Sequence, residues 1–159
     1  MDKSKETPRQ YQEGIFTAIS IGFFLLLVGT LFVINPNLFG SIIDFFRDFG
    51  LVDVPNTSIV LPAPESLQLH QTVYQAAWQF SIALGVFQVV MLALRFVIPS
   101  SWEKRSETVG NLVYWGGASF LIQFFLIDSM QWFTFWSTIL ILAGVSIIAR
   151  AAVMAVSRI

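Results

Sequence analysis

The sequence predicts an all-α integral membrane protein: a four-transmembrane-helix bundle, with an amphipathic interfacial helix and an extracytoplasmic loop between helices 1 and 2. Three observations predict it. The 159 residues are 55% hydrophobic and 12% charged, with a mean hydropathy of +0.71, whereas an ordinary soluble domain carries about 25% charge. A soluble domain of this length leaves about a third of its unfolded surface in water, too much for so apolar a composition. Charges are missing from four long runs, and Lys and Arg flank those runs unevenly.

Composition also excludes whole classes of function. Nine Lys plus Arg against ten Asp plus Glu leave a net charge of −1, so no basic excess exists for a nucleic-acid backbone. Cysteine is absent, which removes disulfides, thiolate metal sites and cysteine nucleophiles.

Residues 1–13 read as a polar cytoplasmic N-terminus, partly disordered, and 14–159 as a single membrane domain. Each uncharged run is about 20 residues or more, and a helix of that length crosses a hydrocarbon core about 30 Å thick. Backbone in lipid must satisfy its own hydrogen bonds, so each run reads as a helix. The spans are expected at about 15–35, 74–97, 108–128 and 131–151. A cleaved signal peptide has a shorter apolar core, about 7–15 residues. The exit of the first span, Asn35-Pro36-Asn37, also lacks a small-x-small cleavage pattern, so that span reads as retained. The second run starts early, at Ser66, so residues 67–74 rise above the membrane or the helix tilts.

Between the first two spans, 37–50 reads as a short amphipathic helix, with Asn37 as N-cap and Gly50 as its stop. Leu38, Phe39, Ile42, Ile43, Phe45, Phe46 and Phe49 make a broad apolar face; Asp44, Arg47 and Asp48 lie on the other. That face suits an interfacial helix or docking on the bundle or a partner, and the spacing does not choose. Residues 51–70 read as an ordered outer loop, because Pro55, Pro62 and Pro64 break helices while Val52, Val54, Ile59, Val60 and Leu61 favour extended chain. A short hairpin fits around Asn56-Thr57-Ser58.

The basic residues orient the chain. Lys3, Lys5, Arg9, Arg95, Lys104, Arg105, Arg150 and Arg158 fall on one side, and Arg47 alone on the other. The positive-inside rule then puts both termini in the cytoplasm. With no organelle address in the sequence, a prokaryotic plasma membrane is the default. Arg95 and Arg150 are expected to snorkel to headgroups. Tyr74, Trp78, Trp132 and Trp136 are expected as anchors at the outer boundary, and Trp102 and Trp115 at the inner one.

No ionisable residue lies deep in a span, which argues against a proton-coupled pump or transporter. Neutral polar residues remain. Gln71, Gln75 and Gln79 form one stripe, and Ser119 and Gln123 belong to another. They serve as interhelical hydrogen bonds or line a polar cavity. Ala18, Gly22 and Gly29 on the first span, Ala77, Ser81 and Gly85 on the second, Gly116 and Gly117 on the third, and Gly144 on the fourth are packing positions. The sole histidine, His70, could form an acid/base or metal site with Glu65, Asp53 or Asp128, but no ligand spacing supports one, and no catalytic motif or cofactor signature is present. The function expected is therefore a small non-enzymatic accessory or structural subunit that binds the lipid bilayer, another membrane subunit or a second copy of itself. The alternative is a channel or facilitator for a neutral solute, water or ion. An interfacial enzyme working through His70 is the third.

Overall fold

The computed structural model describes residues 7–98 and 100–156. The fold is about 80% helical, and four of its helices are long and apolar enough to cross a membrane. In chain order it runs α1 (Thr7–Ile34), α2 (Leu38–Arg47), β1 (Phe49–Asp53), β2 (Val60–Pro64), a 3-10 turn (Leu67–His70), α3 (Gln71–Val97), α4 (Trp102–Leu121), a π-helical segment (Ile122–Asp128) and α5 (Trp132–Val156).

The helix boundaries have local causes. α1 stops at Ile34 because Asn35 precedes Pro36, and the residue before a proline is pushed out of helical backbone. Asn35 then caps the end, its backbone N–H and side-chain Nδ2 both donating to the Leu31 carbonyl at 3.0 and 3.1 Å. Ile98 precedes Pro99 in the same way and is extended, which ends α3. Ser101 caps α4, its hydroxyl accepting from the Lys104 N–H at 3.3 Å, with Glu103 in the first turn where the helix dipole favours it.

Two helices begin earlier than the uncharged runs. α1 starts at Thr7, inside the segment expected to be partly disordered, and α4 at Trp102 rather than near 108. Charge limits where a helix can enter lipid; it does not tell where the helix itself begins. The short second helix is also shorter than expected. It ends at Arg47, and Phe49 and Gly50 belong to β1. Asn37 precedes it but makes no side-chain cap bond and sits in left-handed backbone, φ 71°.

β1 and β2 pair antiparallel, with Gly50 opposite Ala63 and Val52 opposite Leu61. The closing loop turns at Asn56, φ 61°, a residue that tolerates left-handed backbone. A Cβ on Gly50 would meet the Glu65 carboxylate, the end of a flexible, exposed side chain that can swing aside.

α4 packs between α3 and α5, and glycines set both crossings. A Cβ built on Gly85 would lie 3.4 Å from the Gly116 nitrogen, so α3 and α4 touch through backbone. A Cβ on Gly117 would strike Leu142 of α5. Gly110, not singled out by spacing, does the same work: its Cβ would sit 3.2 Å from the Ser146 carbonyl oxygen. By contrast, Gly22, Gly29 and Gly144 have nothing within 4 Å, and Ala18 is exposed. Ala77 is half-buried and Ser81 is buried, its hydroxyl donating to the Ala77 carbonyl.

α1 is held by one edge. Phe23 stacks on Phe87 with ring centroids 4.1 Å apart, Phe24 meets Phe80 edge-on, and Asn35 Nδ2 donates to Gln79 Oε1 at 2.9 Å. At the other end of the helix, Arg95 of α3 is not the snorkelling residue expected. It is 8% exposed, lies over the Phe16 ring, donates to Ser100 Oγ at 3.0 Å and faces Glu13 at 3.6 Å. Glu13, seven residues before Ser20 on the same helix edge, supplies a protein counter-charge in place of a headgroup. Arg150 is exposed.

Candidate functional site

The chemistry-bearing side chains gather at the end of the molecule formed by α2, the hairpin, the start of α3 and the start of α5, here the hairpin end. Phe45 is its hub. Its ring lies 5.2 Å from His70, 6.1 Å from Tyr74, 5.9 Å from Trp132 and 5.2 Å from Phe49, mostly edge-on. Edge-to-face contacts set positive ring edges against negative faces and bind α2, hairpin and bundle into one cap. The apolar face of α2 therefore divides. Leu38, Ile42 and Phe45 pack on the bundle, while Phe39 and Phe46 are each 68% exposed.

Asp48 ties this cap together. Its backbone oxygen accepts from the Glu65 N–H at 3.0 Å, and Oδ2 accepts from the Ser66 N–H at 2.7 Å and lies 2.8 Å from His70 Nε2. One residue thus clamps the return of the hairpin to the turn that starts α3. The His70 hydrogen bond first, then that of Ser66, hold the Asp48 carboxyl below the ordinary aspartate range, because both bonds favour the charged form. His70 is 5% exposed. Its partner is Asp48, not Glu65, Asp53 or Asp128. Asp48 stood on the polar face of a helix in the sequence reading; only the break at Arg47 turns it toward the histidine.

Tyr74, expected as a boundary anchor, is instead a core residue, 2% exposed among Leu121, Ile122, Leu126 and Phe135. Its hydroxyl is buried without a hydrogen-bond partner among the described residues. An aromatic residue at a span end looks the same in sequence whether it faces lipid or neighbours. Trp78 and Trp132 are half-buried against the same cluster; Trp102 and Trp136 are each 49% exposed. Trp115 is half-buried, edge-on to Phe80.

The polar stripes are engaged separately. Gln79 binds Asn35, Ser119 donates to the Gly116 carbonyl, and Gln123 Nε2 donates to Asp128 Oδ1 at 3.0 Å. That last bond is a product of the π segment, whose i to i+5 hydrogen bonding brings residues five apart together. Gln71 is half-buried and Gln75 exposed. Among the described residues no three His, Cys, Asp or Glu side chains converge as a metal site.

Three cavities open at the hairpin end, of about 650, 520 and 320 Å³. The smallest is lined by Ser41, Asp44, Asp48, Leu69 and His70. The largest lies between the hairpin and the first two turns of α5. None of the three is lined by Gln71, Gln75, Gln79, Ser119 or Gln123. Met130 lines the two larger ones from left-handed backbone, φ 52°, an uncommon state for a long side chain. It reverses the chain after the π segment, with the Gln131 N–H reaching back to the Phe125 carbonyl at 2.6 Å. That closure is one residue wider than the usual left-handed helix cap, as the π register demands. No sequence signal marked Met130, since the other left-handed positions among the described residues are asparagines.

Comparison with protein-family models, with curated proteins and with solved structures returns no match to this chain.

Proposed function

We propose that this is a non-enzymatic accessory subunit of the plasma membrane, inserted through α1, α3, α4 and α5 with both termini cytoplasmic, and docked on a partner transmembrane helix through α1. The apolar length of the four helices and the one-sided basic residues support the insertion and its orientation.

One observation carries the docking. Among its described side chains α1 buries only Phe16 and Leu31, both on the side that meets α3. The stripe that meets α3 runs through Phe16, Ser20, Phe23, Leu27 and Leu31. Ala18, Gly22 and Gly29 lie on the opposite side of the helix at 3.6 residues per turn, and are open. In lipid, helices associate by close backbone approach rather than by hydrophobic transfer, and small residues permit that approach. Bare small residues opposite the intramolecular contact are what a second helix needs.

The chain has no cysteine, so Gly22→Cys and Gly29→Cys introduce single reactive sites. In intact membranes both are expected to crosslink to a discrete second polypeptide that also co-purifies after gentle solubilisation. Leu140→Cys, on the exposed face of α5, is expected not to. A chain that purifies alone and crosslinks at none of these positions removes the reading.

A further inference from the structure

The cavity of about 650 Å³ at the hairpin end supports an inference that rests on the bilayer placement above but not on the partner of α1. We propose that it binds a phospholipid of the outer leaflet that carries a primary ammonium headgroup, with the ammonium at Asp53 and one acyl chain along the start of α5.

Position is the first argument. The cavity wall on α5 runs from Gln131 to Ser137, a descent of about 9 Å at 1.5 Å per residue. The opposite wall is the hairpin, through Val52 to Asn56 with Ala63 and Pro64, outside the four apolar helices. One end of the space is therefore at headgroup level and the other in the acyl region. Its volume of about 650 Å³ falls in the usual range for a small-molecule site, about 300–1,000 Å³.

Lining chemistry is the second. Val52, Val54, Leu67 and Phe133 make apolar walls, while Asp53 and Asn56 sit at the hairpin end of the cavity. Asp53 is the only charged residue in the lining, and its carboxylate has no hydrogen bond or ion pair among the described residues. Lower down, the Ser137 hydroxyl already donates to the Phe133 carbonyl, so it asks nothing of an acyl chain.

Charge decides the headgroup. A carboxylate only accepts hydrogen bonds, and an ammonium offers three donors. An anionic headgroup would meet Asp53 with no cation in the lining to compensate. The acyl chain leaves one apolar surrounding for another and supplies little preference. Selection therefore comes from the Asp53 contact.

The test uses the full-length chain, purified in mild detergent and incubated with equimolar phosphatidylethanolamine, phosphatidylcholine and phosphatidylglycerol, with bound lipid counted by native mass spectrometry. Phosphatidylethanolamine is expected to exceed each of the others by about two- to fivefold, the size an exposed ion pair supports. Asp53→Asn, at an exposed hairpin position, is expected to level the three lipids without lowering the total. Ser137→Phe, which fills the lower end, is expected to lower the total. Gly22→Leu on α1 is expected to change neither, which separates this site from the partner face. Equal or greater retention of phosphatidylglycerol by the unaltered chain overturns the proposal. So does an unchanged lipid pattern in both Asp53→Asn and Ser137→Phe, each checked for native circular dichroism.

Discussion

Replacing Gly85 with isoleucine should separate two glycines that look alike in sequence. A Cβ at Gly85 would sit 3.4 Å from the backbone nitrogen and 3.5 Å from the Cα of Gly116. Alanine fits at that distance, and it is about 0.8–1.0 kcal/mol better than glycine inside a helix. Gly85→Ala is therefore expected to be neutral or slightly stabilising. Isoleucine adds carbons about 1.5 Å further out, on a side chain held largely to one rotamer in a helix. Backbone stands in their way, so α4 must move, at a cost of about 1–3 kcal/mol. Gly22→Ile is the control. Nothing lies within 4 Å of its Cβ, and the isolated chain should change by less than about 0.5 kcal/mol. Gly110→Ala falls between, since its methyl would press the Ser146 carbonyl oxygen at 3.2 Å. The assay is equilibrium unfolding of the purified chain in mixed micelles, titrated with dodecyl sulfate and followed by circular dichroism. Wild-type stability for Gly85→Ile, or an equal loss for Gly22→Ile, would refute the crossing described here.

Three further outcomes follow from the same geometry. A carboxyl whose folded pKa is depressed stabilises only while charged, so the Asp48 clamp is complete above about pH 3.9, the unfolded value, and fades as pH falls through the lower folded value; protection of the Ser66 amide, corrected for intrinsic exchange, should drop as pH falls below about 4, and should already be lost at neutral pH in Asp48→Ala, which removes the acceptor. A double-mutant cycle of Asn35→Ala and Gln79→Ala should give a coupling of about 0.6 kcal/mol, and a value of zero would mean that their 2.9 Å bond contributes nothing to holding α1. Phe45→Ala, which empties a half-buried hub, should cost about 2 kcal/mol, roughly half a fully buried phenylalanine, and should shift Trp132 fluorescence; an unchanged spectrum would contradict the aromatic cap.

Much of the architecture was legible before any coordinates. The four uncharged runs became α1, α3, α4 with its π extension, and α5, and the proline-rich segment became a hairpin turning at Asn56. The misses share a cause. Thr7–Glu13 and Trp102–Glu107 carry charges that set them outside the uncharged runs, yet helical hydrogen bonding continues through them. Arg95 had an obvious destination in headgroups, and a nearer one in Glu13, whose position becomes apparent only when α1 lies on α3. Tyr74 and Trp136 carry the same boundary signal, and one is core while the other is exposed. The cap is less legible still. Asp48 and His70 are 22 residues apart and meet through a helix that ends early and a hairpin that folds back.

The chain by itself determined how many helices it would make and how apolar each would be. Those are properties of a segment against its solvent: the cost of moving a charge out of water and the need of each backbone group for a partner are settled locally. Only the tertiary structure decided which face of each helix meets protein. Gly85 is closed by Gly116 while Gly22 stays open, and Asp48 takes a histidine from a later element. Such choices rest on contacts between residues far apart in the chain, whose free energy exists only once the elements are brought together.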